Sequence, residues 1–127
     1  MKMYRIVRIA ALAAVLILPL ALAGCATAGG MDLVNKGFNH IEKGELVDAE
    51  TLLTEAVQKY PDNPYAILDL GTVYQRTGRV ELARQMFDKV IAMDAKDNPA
   101  RRSKFVDPNK NLTQIAQDNL KTLPPKQ

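Results

Sequence analysis

The chain has 127 residues and a formal net charge of +3, from 17 lysines and arginines against 14 acids. This length is enough for one small hydrophobic core once any leader is removed, and not for a second domain. A single cysteine excludes an intrachain disulfide, and a single histidine leaves few side chains for a metal site or for acid–base catalysis.

The amino-terminal segment has the charge pattern of an export signal. Lys2, Arg5 and Arg8 precede an apolar run at 9–23 that only Pro19 interrupts. The run is slightly shorter than a transmembrane helix, so a membrane-spanning signal anchor is the alternative interpretation. If the three bases leave with a signal, 14 bases remain against 14 acids. A neutral mature chain lacks the basic excess that nucleic acid requires, so no nucleic-acid partner is expected.

Four residues at the end of this run, Leu22-Ala23-Gly24-Cys25, resemble the lipobox of bacterial lipoproteins. The resemblance implies that residues 1–24 are removed, that Cys25 is diacylated on its sulfur, and that its new amino group is acylated. Two or three acyl chains anchor a protein firmly, because each buried methylene contributes about 0.8 kcal/mol. Ala26 resembles the residue that follows the cysteine in lipoproteins on the periplasmic face of the outer membrane. Residues 25–30 are then the lipidated cysteine and a short, unpatterned tether.

Apolar spacing and stop signals predict two helical hairpins between residues 31 and 97. Gly44 and Gly78 stand where helix carboxyl-terminal caps are expected. Asp62-Asn63-Pro64 is a helix start signal, in which a capping side chain precedes a proline at the first helical position. The predicted helices cover about 32–43, 46–60, 64 to the stop at Gly78, and 80–93.

The two hairpins repeat each other with a period of 34 residues. The shift places Gly37 on Gly71 and Ala49 on Ala83, and it superposes the two capping glycines. A period of this length indicates stacked helical pairs, in which small residues are needed where two helices cross closely. The predicted units are about 31–63 and 64–97.

The second unit carries the motif Leu70-Gly71-Thr72-Val73-Tyr74, followed by Ala83 and Phe87. These residues resemble the tetratricopeptide repeat, a pair of antiparallel helices that stacks on its neighbours. The first unit departs from the motif because Lys36 and His40 replace the leucine and the tyrosine. The resemblance implies an all-α fold of two hairpins stacked as a short solenoid.

Residues 98–127 are predicted to form a basic linker, a capping helix and a tail. Asp97-Asn98-Pro99 repeats the helix start signal, but Arg101 and Lys104 occupy the apolar positions and Pro108 breaks the pattern. Arg101-Arg102-Ser103-Lys104 is either a solvated linker or a contact for anionic lipid or an acidic partner. An amphipathic helix at about 111–122 is predicted to cover the end of the last repeat. Its apolar stripe consists of Leu112, Ile115, Ala116 and Leu120.

The chain offers no cluster of residues typical of catalysis. His40 replaces an aromatic core residue and is predicted to be structural, and Ser103 has no neighbouring histidine. The glycines are explained by helix crossings and caps rather than by a phosphate-binding loop. We therefore predict no catalytic residue, no metal ligand and no cofactor. The acids of the first hairpin are expected on its solvated side: Glu42, Glu45, Asp48 and Glu50.

The resemblance implies a protein or peptide partner in the cell envelope, bound on the concave face of the stack. It carries that role to Met31, Val34, Phe38, Ile41, Tyr65, Leu68, Thr72, Gln75 and Arg76. Phe38 and Leu68 have a structural alternative, because they could pack on each other or on the capping helix. By fold analogy the protein is an accessory factor of an envelope, secretion or pilus system. The alternative is a self-associating structural lipoprotein, such as a homodimer, without a dedicated peptide ligand.

Overall fold

The computed structural model describes residues 26–99 and 106–126. Within these residues the chain forms helices and no strand, as predicted. The predicted signal segment, Cys25 and the basic stretch 101–104 lie outside the described residues. The five helices are α1 (Ala26–Lys43), α2 (Leu46–Lys59), α3 (Pro64–Arg76), α4 (Val80–Ala92) and α5 (Leu112–Thr122).

The structure confirms the predicted helix stop signals at two glycines and the predicted start signal of α3. Gly44 and Gly78 have positive φ angles of 79° and 77°, which a glycine adopts without the steric cost of a Cβ. At the start of α3, the Asn63 side chain accepts hydrogen bonds from the backbone N–H groups of Tyr65 and Ala66. Pro64 follows as the first helical residue, where its missing N–H costs nothing.

The first helix is longer than the sequence predicts. It begins at Ala26 rather than near Asp32, so residues 26–30 are helical and not an irregular tether. These small residues carry no apolar periodicity, and a pattern search therefore passes over them. Gly30 makes the tertiary contact in this stretch: a Cβ at this position would lie 2.8 Å from Cδ2 of Tyr60, so the ring packs directly on the helix backbone.

Close helix crossings hold each hairpin together at equivalent positions. A Cβ on Gly37 would lie 2.6 Å from Cγ of Leu53, and one on Gly71 would lie 2.7 Å from Cε1 of Phe87. Leu53 and Phe87 are themselves 34 residues apart and both are fully buried. The sequence repeat is therefore a repeat of one packing contact.

The capping helix occupies the place of a third repeat's first helix. It packs on α4 and α3 as α3 packs on α2 and α1. Leu112 and Ala116 are fully buried and join Phe87 and Val90 in the largest apolar cluster. The predicted cover over the last hairpin is thus present in the structure.

The start signal at Asp97-Asn98-Pro99 does not begin this helix. Asn111 is the N-cap of α5, and with Gln114 it forms a reciprocal capping box. The earlier segment contributes carbonyl groups instead: Leu112 N–H donates to Asp97 O at 2.9 Å, and Thr113 N–H donates to Ala95 O at 3.2 Å. The start of α5 is therefore marked by its own capping box, and these two hydrogen bonds attach it to the end of the second hairpin.

The far end of α5 is tied back to the second hairpin. Arg84 donates from Nη2 to the carbonyl oxygen of Pro124 at 2.5 Å.

Among the described residues, Val47 and Leu82 are the large apolar side chains that stay exposed. No helix in this part of the chain combines the length and apolar character that crossing a bilayer would require.

Candidate functional site

A cleft of about 260 Å³ lies between α1, α3 and α5 on the concave side of the stack. Its lining includes Phe38 of α1, Leu68 and Thr72 of α3, and Ile115 of α5, together with Pro99 and Val106. Asp69, Asp107, Lys110 and Asp118 provide its charged groups. The capping helix forms one wall of the cleft through Ile115, Asp118 and Asn119.

Three residues predicted to bind a partner are buried in the core. Val34 is fully buried with Ala56 and Ala66, and Ile41 is 6% exposed beside Leu70 and Val73. Leu68 is 5% exposed and packs in the cluster of Phe87 and Leu112, so it can contribute only to the floor of the cleft. The prediction that Val34 and Ile41 form a free surface was wrong, because these positions on α1 lie where α3 crosses it.

The other predicted residues lie in several different places, and Arg76 donates from Nη1 to the carbonyl oxygen of Ile41 at 2.8 Å. Phe38 and Thr72 are half-buried and line the cleft. Gln75 lies near the carboxyl-terminal end of α3. Its Nε2 donates to Oγ1 of Thr122 at 2.6 Å and links α3 to the end of α5. Tyr65 and Met31 line a second cleft of about 430 Å³ beside the α2–α3 turn. The predicted residues therefore do not form one continuous groove.

Charged side chains in and beside the first cleft are paired with one another. Lys110 Nζ donates to a carboxylate oxygen of Asp118 at 2.7 Å and lies 3.8 Å from Asp107. The hydrogen bond from Lys110, followed by one from Lys121, holds the pKa of Asp118 below its usual range. Asp69 is 4% exposed and adds a third carboxyl group to the lining. Among the residues that the structure describes here, Lys110 and Lys121 are the basic partners of Asp118.

The sequence did not identify the wall that α5 and the linker contribute. The amphipathic pattern of α5 predicted which residues are buried, but Ile115, Asp118 and Asn119 lie at the edge of that stripe. Which edge of the stripe faces α1 depends on how α5 crosses α3. No sequence pattern within α5 indicates the direction of that crossing.

His40 takes part in a group of polar side chains at the carboxyl-terminal end of α1. Its Nδ1 lies 2.6 Å from Oε2 of Glu45, and a carboxylate oxygen of Asp48 lies within 4.8 Å of both. Both acids are exposed, as predicted. Because the histidine already has a carboxylate partner, the geometry fits a hydrogen-bonded surface pair.

A family model described as tetratricopeptide repeat matches residues 40–104, just over half of the chain. With two stacked hairpins and their repeated glycine contacts, the chain belongs to the tetratricopeptide repeat family. The fold is typically a non-catalytic scaffold for protein interaction, which supports a protein partner.

One curated relative is named "Uncharacterized protein ycf37" from Pyropia yezoensis. It is 27% identical over 77 residues, which cover 60% of this chain and 43% of the relative. The chain thus spans less than half the length of this relative. No solved structure gives a significant match.

Proposed function

We propose that this protein is a lipid-anchored adapter of the bacterial cell envelope that binds a segment of a partner protein in the cleft between α1, α3 and α5. The cleft is the observation that carries the proposal. Tetratricopeptide repeats bind partners on this side of the stack, and here the apolar floor lies next to charged groups. Such a lining favours a segment that places one apolar residue against the floor and makes polar contacts at the edge.

The anchor is proposed from the sequence around Cys25. Its match to a lipobox motif and its place at the end of an export signal support acylation. We place the protein on the periplasmic face of the outer membrane, as an accessory factor of an envelope, secretion or pilus system. The mass of the purified amino-terminal peptide tests this step, because a free thiol without acyl mass contradicts it.

A matched pair of threonines tests the cleft. Thr72 lies in the cleft and Thr51 on the exposed outer face of α2, and each donates its hydroxyl to the carbonyl four residues before it. A photoreactive amino acid is placed at either position and crosslinked in the native envelope. We expect an adduct to another protein from position 72 and none from position 51, with the attached segment identified by mass spectrometry.

Binding of that segment as a synthetic peptide then tests the contact itself. Phe38→Ala is expected to weaken the affinity for the peptide about tenfold, because loss of a half-buried aromatic contact costs at least about 1.4 kcal/mol of binding free energy. Val47→Ala is the control, because Val47 is 79% exposed on the outer face. Equal affinity of both variants for the peptide would refute the proposal that the peptide binds in the cleft. An adduct between two copies of this chain would instead favour the self-associating structural role.

A further inference from the structure

The α2–α3 turn lies beside the point where the proposed anchor joins the folded part. Cys25 directly precedes Ala26, the first residue of α1. Consecutive Cα atoms are about 3.8 Å apart and a helix rises about 1.5 Å per residue, so the Cα of Gly30 lies within about 10 Å of that of Cys25. Because residues 26–30 are helical, the helix fixes the separation between Ala26 and Gly30, which is shorter than an extended tether would allow.

Two contacts hold the turn against this part of α1. The ring of Tyr60 packs on the backbone of Gly30, where a Cβ would lie 2.8 Å from Cδ2. Nδ2 of Asn63 donates to the sulfur of Met31 at 3.8 Å. Residues on both sides of the turn are therefore fixed close to the anchor point.

The chemistry of the turn suits a phospholipid headgroup layer. Tyr60 and Tyr65 are half-buried and line the second cleft with Met31. Tyrosine is enriched at bilayer interfaces, where its ring lies among apolar groups and its hydroxyl reaches water. Lys59 is exposed at the edge of the cleft, and Lys89 reaches the same turn by donating to the carbonyl oxygen of Pro61 at 2.8 Å.

We infer that the surface formed by Met31 and the turn from Lys59 to Tyr65 rests on the headgroup region of the bilayer, with the helices extending away from it. This inference depends on the proposed acylation of Cys25. The other end of α2 carries Glu45 and Asp48, both exposed. That end is about 20 Å away along a 14-residue helix. Lys43 is exposed near that end and Asp62 in the turn, so the support for this orientation comes from the tyrosines and the position of the anchor and not from net charge.

The orientation defines where a partner can be bound. Phe38 follows Cys25 by 13 positions in a nearly continuous helix, so the cleft lies about 20 Å from the anchor. A partner segment must therefore reach to within that distance of the membrane surface.

Two matched cysteine variants test the inference on the full chain. Asp62→Cys lies in the turn and Asp48→Cys near the opposite end of α2, and both positions are exposed. In the acylated protein the native cysteine is blocked, so a fluorophore labels only the introduced thiol. The labelled proteins are reconstituted into phosphatidylethanolamine and phosphatidylglycerol vesicles that contain lipid with a nitroxide on the headgroup.

We expect the label at position 62 to lose most of its emission and the label at position 48 to retain it. Equal quenching at both positions, or quenching at 48 alone, overturns the inference. Intact mass of the same samples separates the two proposals. Acylated protein with an unquenched label at 62 refutes only the orientation, whereas protein without acyl mass refutes the anchor and, with it, the orientation.

Discussion

The guanidinium group of Arg79 binds the carboxylate of Glu50 with two parallel hydrogen bonds of 2.6 Å each. Arg79 precedes α4 in the second hairpin and Glu50 lies on α2 in the first, so the pair joins the two repeats at one end of the stack. The same guanidinium carbon lies 4.6 Å from the centre of the Tyr74 ring. Stacking and bidentate bonding both suit arginine and not lysine.

This pair makes the stability depend on pH. The hydrogen bond from Arg79 lowers the pKa of Glu50 from 4.5, so its contribution is present above about pH 4.5 and is lost as pH falls through the lowered value. Glu50 is 32% exposed, and we expect Glu50→Gln to cost about 0.5–1 kcal/mol near pH 7. Urea denaturation between pH 7 and pH 3 should show the difference from wild type shrinking in acid. Glu55→Gln, in an exposed pair with Lys59, should have a smaller effect.

Substitution of a crossing glycine should disturb the second hairpin. Gly71→Ala places a methyl group 2.7 Å from the buried ring of Phe87 and 3.0 Å from Cβ of Met86. Overpacking costs about 1–3 kcal/mol, against a helix-propensity gain of up to about 1 kcal/mol. We expect a net loss of about 1–2 kcal/mol in urea denaturation.

Combining Gly71→Ala with a substitution at residue 87 distinguishes steric overpacking from backbone strain as the cause of the lost stability. Phe87→Leu should relieve part of the cost of Gly71→Ala, because the ring is the neighbour that the methyl group meets. Gly44→Ala is the control, since its strain arises from a φ of 79° with no atom within 4 Å. Its cost should be independent of residue 87. Additive effects of the substitutions at 71 and 87 would contradict the packing explanation.

Removal of the cap on α3 should weaken the second hairpin. The Asn63 side chain accepts two backbone hydrogen bonds, at 3.0 Å and 3.2 Å. Asn63→Ala is expected to reduce the free energy of unfolding by about 1 kcal/mol. Asn39→Ala, at an exposed position in α1, is the control and should change it by less than about 0.5 kcal/mol.

The capping helix is expected to be part of the cooperative core. Leu112 is fully buried in the cluster of Phe87, so Leu112→Ala should cost about 2–5 kcal/mol. Leu82→Ala provides a matched control at a position that is 40% exposed, where the loss should be about 1 kcal/mol or less. Thermal unfolding followed by circular dichroism compares the two. If both variants unfold at the same temperature, α5 is not part of the core.

Local signals were sufficient to predict the hairpins. The caps at Asn63 and Gly78 act through hydrogen bonds and φ angles within a few residues, so their residue types indicate their structure directly. The repeated glycines predicted helix crossings because a small residue is required there in each copy. The apolar stripe of α5 similarly predicted Leu112 and Ala116 in the core.

The binding surface was predicted less well. Val34 and Phe38 lie one turn apart on α1 and look equivalent in the sequence, yet one is fully buried and the other lines the cleft. The difference arises from the direction in which α3 crosses α1. The charged wall of Lys110 and Asp118 likewise depends on the placement of the linker.

The sequence by itself determined the helical repeat, its period and the residues that begin and end α2, α3 and α4, because these features depend on bonds between near neighbours in the chain. Only the tertiary structure decided that α1 starts at Ala26 and which side chains remain at the concave surface. Those outcomes depend on contacts between helices that are distant in the sequence, such as Gly30 with Tyr60, and a single chain position carries no record of its eventual neighbour.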